Sequence, residues 1–274
     1  MPTFRGNLGN LLQHWVLCEL LAAAAPQVRH IQFIDAYSMA PLAGERHPKP
    51  GYSSGVFDSV GDSLPGQSSL YERTWADLGG NRERYPNSAS FFTRIWPHSF
   101  SLLLCETDPR TVIELSRWAG ATEADAHCTG VEVFPRDWRI RLRAGIPDAV
   151  DLQFFSFDPN MFNRFTPVNS QSAIMYTEDI TLLGRAIEHH DQPVLVQLST
   201  YSANNNNEQQ SVRETLDAAA SAIGLHRIAC VVGDGHMMSM VYGRNIEWEA
   251  DLYRLTPRFN EWLAKSKGNG MARS

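Results

Sequence analysis

Four apolar runs in the chain, at 31–34, 100–105, 130–134 and 152–157, lead into acidic residues: Asp35, Glu106, Asp137 and Asp158. Carboxylates accept hydrogen bonds from amines and hydroxyls, so a set of them on one rim suits a ligand that carries both. Asp35 can meet amino or ribose groups, and Glu106 can hold two ribose hydroxyls through paired bonds. Asp137 can accept from an adenine amino group, with Trp138 or Phe134 packed nearby. Asp158 leaves a Phe-Phe-Ser-Phe run apolar enough for a central strand. Pro159 stiffens the turn behind it and Asn160 offers a side-chain carbonyl, so Asp158 is the best placed for chemistry. Each acid taken singly reads as a loop starter or a helix cap, whereas the ordered set reads as a site.

To meet, these acids must stand at the carboxyl ends of neighbouring strands. The runs alternate with helical stretches, beginning with an amphipathic helix from Asn10 whose Leu11, Leu12, Trp15, Val16, Leu20 and Leu21 recur at helical spacing. Such alternation predicts an α/β, Rossmann-like and mostly parallel sheet covered on both faces, with ligands at the strand carboxyl ends. Runs at 225–232 and 237–242 bracket Gly233-Asp234-Gly235-His236 as a terminal hairpin, placing an antiparallel strand at the sheet edge. Residues 44–86, rich in Gly, Pro, Ser and charge, read as an inserted cap with a helix near 69–78, inside one domain spanning 1–274.

Composition narrows the partners. Twenty-four basic against thirty acidic residues give a net charge of −6, which excludes a globally basic nucleic-acid binder. The one local patch to offer phosphate is Arg136, Arg139, Arg141 and Arg143, three of which would share a face on a strand. Cys18, Cys105, Cys128 and Cys230 lack paired spacing, as expected of free thiols in a reducing cytoplasm. Gln13, His14 and Glu19 in the first helix argue against a signal or membrane span. His189-His190-Asp191 projects its histidines differently, and no metal site is expected.

The order of pieces resembles the class I S-adenosylmethionine-dependent methyltransferases. Over nearly the whole chain it is most similar to the RlmJ-type large-subunit ribosomal RNA adenine methyltransferases. Gly6-Asn7 with Leu12-Gln13-His14 resembles that family's GN…LKH segment, and Phe33-Ile34-Asp35-Ala36 its first-strand YLDTHAGAG. Tyr85 and Ser88 fall at its Y-x-G-S-P element, Leu104 to Pro109 at its T-E-L-H-P, Asp137 at its A-D-G aspartate and Asp158-Pro159 at its D-P-P-Y motif. A weaker likeness exists to the three-Cys-motif partner proteins.

The resemblance implies S-adenosylmethionine over the first strands, with His14, Asp35, Tyr37 and Ser38 beside it, Glu106 on its ribose and Asp137 with Trp138 near its adenine. It also implies Asp158, Pro159 and Asn160 around a target amine, with Phe162 stacking from one position later than the family aromatic. Three motifs depart from the family: Ser38-Met39-Ala40-Pro41 replaces the G-A-G loop, Gln13 replaces a lysine, and Asp158-Pro159-Asn160-Met161 lacks the second proline and the tyrosine of D-P-P-Y. The expected function is a cytoplasmic methyltransferase acting on an amino group of a nucleobase or small molecule. The alternative is a degenerate member of the fold that binds a partner or nucleotide without methyl transfer.

Overall fold

The computed structural model describes residues 8–44, 69–80, 84–146, 150–158, 161–163, 174–189, 191–201, 206–232, 237–248, 252 and 254–271. Seven strands form the main sheet: β1 (His30–Asp35), β4 (Ser99–Cys105), β5 (Cys128–Phe134), β6 (Leu152–Phe157), β9 (Val194–Tyr201), β10 (His226–Val232) and β11 (Met237–Arg244). Their order across it is β10-β11-β9-β6-β1-β4-β5. β4, β5, β6 and β9 join β1 in parallel ladders, whereas β11 runs antiparallel to both β9 and β10. This is a Rossmann-like α/β sheet whose strand order reverses between β1 and β6, the place where such sheets bind ligands. The expected antiparallel strand is present, but β11 lies inside the sheet and leaves β10 at the edge. Two small ribbons flank it: β2 (Leu42–Gly44) with β3 (Arg84–Pro86), and β7 (Met161–Asn163) with β8 (Ile174–Tyr176).

Eight helices are described: α1 (Leu8–Ala24), α2 (Leu70–Asp77), α3 (Ser88–Ile95), α4 (Pro109–Thr122), α5 (Trp138–Arg143), α6 (Thr177–Ile187), α7 (Asn206–Ala222) and α8 (Leu255–Met271). The strand period of two sorts side chains between two cores. Ile31, Phe33, Leu152, Phe154 and Leu195 face α1, α2, α3 and α8, while Ile34, Phe155, Phe157 and Val196 face α5, α6 and α7. On the first face Phe33 stacks on Phe92, and Trp15 meets Phe259 and Trp262. Full burial of such rings stabilises by about 1.5–3 kcal/mol each.

Helix α1 differs from the amphipathic reading, because every residue from Asn10 to Leu21 is buried. Sheet, α2, α3 and α8 enclose it, so its polar residues must find partners inside. Tyr71 and Trp75 of α2 belong to the same core, so this helix, read as part of a cap, is integral to the packing. The remainder of that segment, 45–68 and 81–83, lies outside the described residues, as does the Gly233-to-His236 turn. The arginine run is also corrected: Asp137 caps a helix there, and Arg139, Arg141 and Arg143 sit on α5. The polar residues from Asn206 begin α7.

Candidate functional site

Register brings the first and last acids together. Asp35 pairs with Ser156 in the parallel β1–β6 ladder, and Asp158 stands two residues beyond that serine. By alternation Asp35, Ser156 and Asp158 all continue the face that carries Phe33 and Phe154, the face covered by α1. The Asn10 amide of α1 reaches Asp158 Oδ2 at 3.4 Å, consistent with that placement.

Burial dominates the electrostatics. It pushes the Asp35 carboxyl up to about 7, against the hydrogen bond from the Tyr37 N–H to Oδ1, which favours the charged form. Asp158, partly exposed at the rim, is also raised to about 7, by burial first and by the Asp35 charge second. Among the described residues the charged groups acting on this pair are carboxylates: Glu106 on Asp35, and Asp35 on Asp158. Ser156 Oγ, fully buried on the same face of the sheet, makes no hydrogen bond.

Next to Asp158 lies a buried polar chain. The two His14 ring nitrogens meet Tyr85 Oη at 3.1 Å and Ser88 Oγ at 3.0 Å; Tyr85 meets Tyr71 Oη, and Gln13 Nε2 donates to Ser88 Oγ. Burial holds His14 down to about 3, so the ring is neutral, and it raises Tyr85, to which Asp158 adds. The residues that carried the family likeness in three separate segments therefore form one cluster. Asn10, which the motif reading passed over, sits one helical turn before His14, a spacing that places both on one face.

The loop after β1 is fixed by its own hydrogen bonds. The Ser38 N–H donates to the Cys105 carbonyl at 3.0 Å and its hydroxyl to the Asp35 carbonyl. Asn87 Nδ2 donates to the Met39 carbonyl at 2.6 Å, and Ser90 Oγ to that of Pro41. Positive φ among the described residues occurs at Asn245 and three distant glycines, so this loop folds without the conformation glycine provides.

The other expected site residues are placed as follows. Glu106 Oε1 accepts from the N–H groups of Thr107 at 2.6 Å and Asp108 at 2.8 Å, which orients its carboxylate at the end of β4. Asp137 is engaged internally: Oδ1 accepts from the Arg139 N–H and Oδ2 from the Arg139 guanidinium. Arg139 also binds both oxygens of Asp179 at 2.6 Å and the Ile174 carbonyl, while Arg141 pairs with Glu132. These two arginines of the expected phosphate patch are thus committed to carboxylates of this chain. Trp138 is buried on the opposite face, edge-on to Phe157 and 6.1 Å from the Tyr37 ring. Pro159 and Asn160 lie outside the described residues, and Phe162 lies in the β7 strand. His190 is likewise outside them, and no group of metal-ligating side chains occurs among the described residues. All four cysteines are free thiols, and no described helix is long and apolar enough to cross a membrane.

No family model and no curated protein sequence matches the chain. Among solved structures it is similar to a Legionella pneumophila protein of the family DUF519, at 16% identity and a TM-score of 0.61, over 95% of this chain and 91% of that one. It is also aligned with a candidate rRNA methylase from Clostridium thermocellum, at 9% identity and a TM-score of 0.44, over 83% of this chain and 96% of that one. A third alignment is with the mitomycin 7-O-methyltransferase MmcR, at 12% identity and a TM-score of 0.39, over 85% and 54%. At 16% identity the likeness to the Legionella protein speaks for the α/β fold alone.

Proposed function

We propose that the protein transfers a methyl group from S-adenosylmethionine to an amino group. The observation that carries this reading is the Asp35–Asp158 pair at the β1/β6 switch point, with no cation among the described charged groups acting on either acid. The cofactor bears an ammonium, a sulfonium and a ribose diol, and the acceptors on this rim suit that set: Asp35 for the ammonium, Glu106 for the diol. When bound, it supplies a methyl group activated by positively charged sulfur. Asp158 accepts a hydrogen bond from the amine N–H, which orients the nitrogen lone pair toward the transferred carbon. Asn10 holds that carboxylate from the helix side. Tyr85, His14 and Ser88 fix α1, and hence Asn10, against the sheet.

A second reading, binding without transfer, is favoured by one observation: the β1 loop carries Ser38, Met39 and Ala40 and is tied to Cys105 and Asn87. Calorimetric titration with S-adenosylmethionine and S-adenosylhomocysteine separates the two. Binding that Glu106→Ala weakens and Asp158→Ala spares, with turnover lost in the latter, supports transfer. Absence of heat and of thermal stabilisation at millimolar ligand overturns it.

A further inference from the structure

We infer that the methylated group is a basic aliphatic amine, bound as its ammonium ion by the Asp158 carboxylate and the Ser156 hydroxyl, rather than a nucleobase amine. This rests on the methyl-transfer reading above. Three observations lead to it.

The first is the orphaned hydroxyl. Ser156 Oγ is fully buried, lacks any partner, and lies on the same sheet face as Asp35 and Asp158, next to one in register and two residues from the other. A buried hydroxyl without a partner is costly, and an ammonium N–H is a donor it can accept. The second is the charge around the pair. Among the described residues, Asp35 at the end of β1 and Glu106 just after β4 are the acids acting on it, while His14 of α1 is neutral and Tyr85 of β3 is held protonated by burial. Arg139 and Arg141, which could have received a phosphate backbone, are occupied by Asp179, Asp137 and Glu132. Among the described residues the groups acting on this pair are acidic or neutral, and a cation is their complement.

The third is the chemistry. An alkylammonium has no lone pair until it loses a proton, whereas a neutral nucleobase amine sheds its proton only as the N–C bond forms or after it. Asp158, raised to about 7 by burial, lies closer to the ~10.4 of an alkylammonium than an ordinary carboxylate does. The step balances: Asp158 takes one proton from R–NH3+, and the freed pair on nitrogen forms the N–C bond. The C–S bond breaks with its electrons going to sulfur, and the product leaves as R–NH2+–CH3 while the proton on Asp158 passes to solvent.

The test uses the full chain with three probes: cadaverine, an Nα-acetyl-lysine amide, and an adenine-containing RNA oligonucleotide. Calorimetry reads binding without the cofactor, and a labelled methyl donor reads transfer. One or both amines are expected to bind, about tenfold or more weakly in Asp158→Asn and several-fold more weakly in Ser156→Ala. The melting temperature of Ser156→Ala should be unchanged or raised, which shows that the fold is intact. The arm that takes label distinguishes a free diamine from a lysyl side chain. Amine binding indifferent to Asp158→Asn, or no amine binding at millimolar concentration, overturns the inference. Label entering the RNA alone overturns it while leaving the methyl-transfer reading in place. Amine binding that depends on Asp158, without label in any probe, upholds the ammonium site and removes methyl transfer.

Discussion

Replacing Asp35 with Asn should stabilise the protein, and only at the alkaline end. The folded carboxyl titrates near 7 against the usual 3.8, because burial penalises its charge. A group raised in this way contributes its stability fully below the unfolded value and loses it as pH rises through the folded one. Between those limits the loss reaches about 4 kcal/mol, at ~1.36 kcal/mol for each tenfold change in proton concentration. Asparagine carries no charge at either end, and its carbonyl can still accept the Tyr37 N–H that Asp35 Oδ1 accepts now. Its stability relative to the parent should therefore start near zero at pH 4 and grow by about 4 kcal/mol toward pH 8.5. For a chain of this size that corresponds to a rise of about 10 °C in Tm. Urea titrations and thermal melts at the two pH values provide the assay. Equal stability changes at both, or a loss at pH 8.5, would show that Asp35 is not held uncharged against its preference and would refute the desolvated pair.

Turnover should rise through about pH 7 and level off above it, since Asp158 must be ionised to accept from the amine, and Asp158→Asn should remove both the rate and the inflection in a kcat–pH profile. His14 has the opposite sign: with its folded value near 3 against 6.5, the parent loses stability as pH falls from 6.5 toward 3. His14→Gln should flatten that acid limb in pH-dependent melts. Asp179→Ala leaves the Arg139 guanidinium buried without its bidentate partner and should cost about 3 kcal/mol in urea unfolding, whereas exposed Asp77→Ala should cost less than about 1 kcal/mol despite breaking a pair with Arg94.

The strand positions of the acids were legible because a strand buried on both faces is a short apolar run with an abrupt end. Runs 100–105 and 152–157 meet that description, and their strands end at Cys105 and Phe157. The arginine run was misread for a physical reason. Trp138-Arg139-Ile140-Arg141-Leu142-Arg143 alternates with period two, the strand signature, yet Asp137 accepts the Arg139 N–H and starts a helical turn. The enclosure of α1 was hidden because its polar residues mimic a solvent face; only tertiary partners reveal Gln13 and His14 as interior hydrogen-bonders. The vicinity of Asp158 to Tyr85 and Asn10 was likewise beyond local pattern, since 148 positions separate Asn10 from Asp158.

The place of β11 has a consequence for how the chain comes to be folded. This strand, the last of the sheet in sequence, fills the gap between β9 and β10. On a ribosome the first six strands emerge before it, and until residues 237–244 arrive β9 presents an open row of amide and carbonyl groups. Closure then depends on a late, antiparallel insertion that meets Tyr201 at one end and Val194 at the other. Nascent chains halted before that point are expected to be sticky and in need of chaperoning.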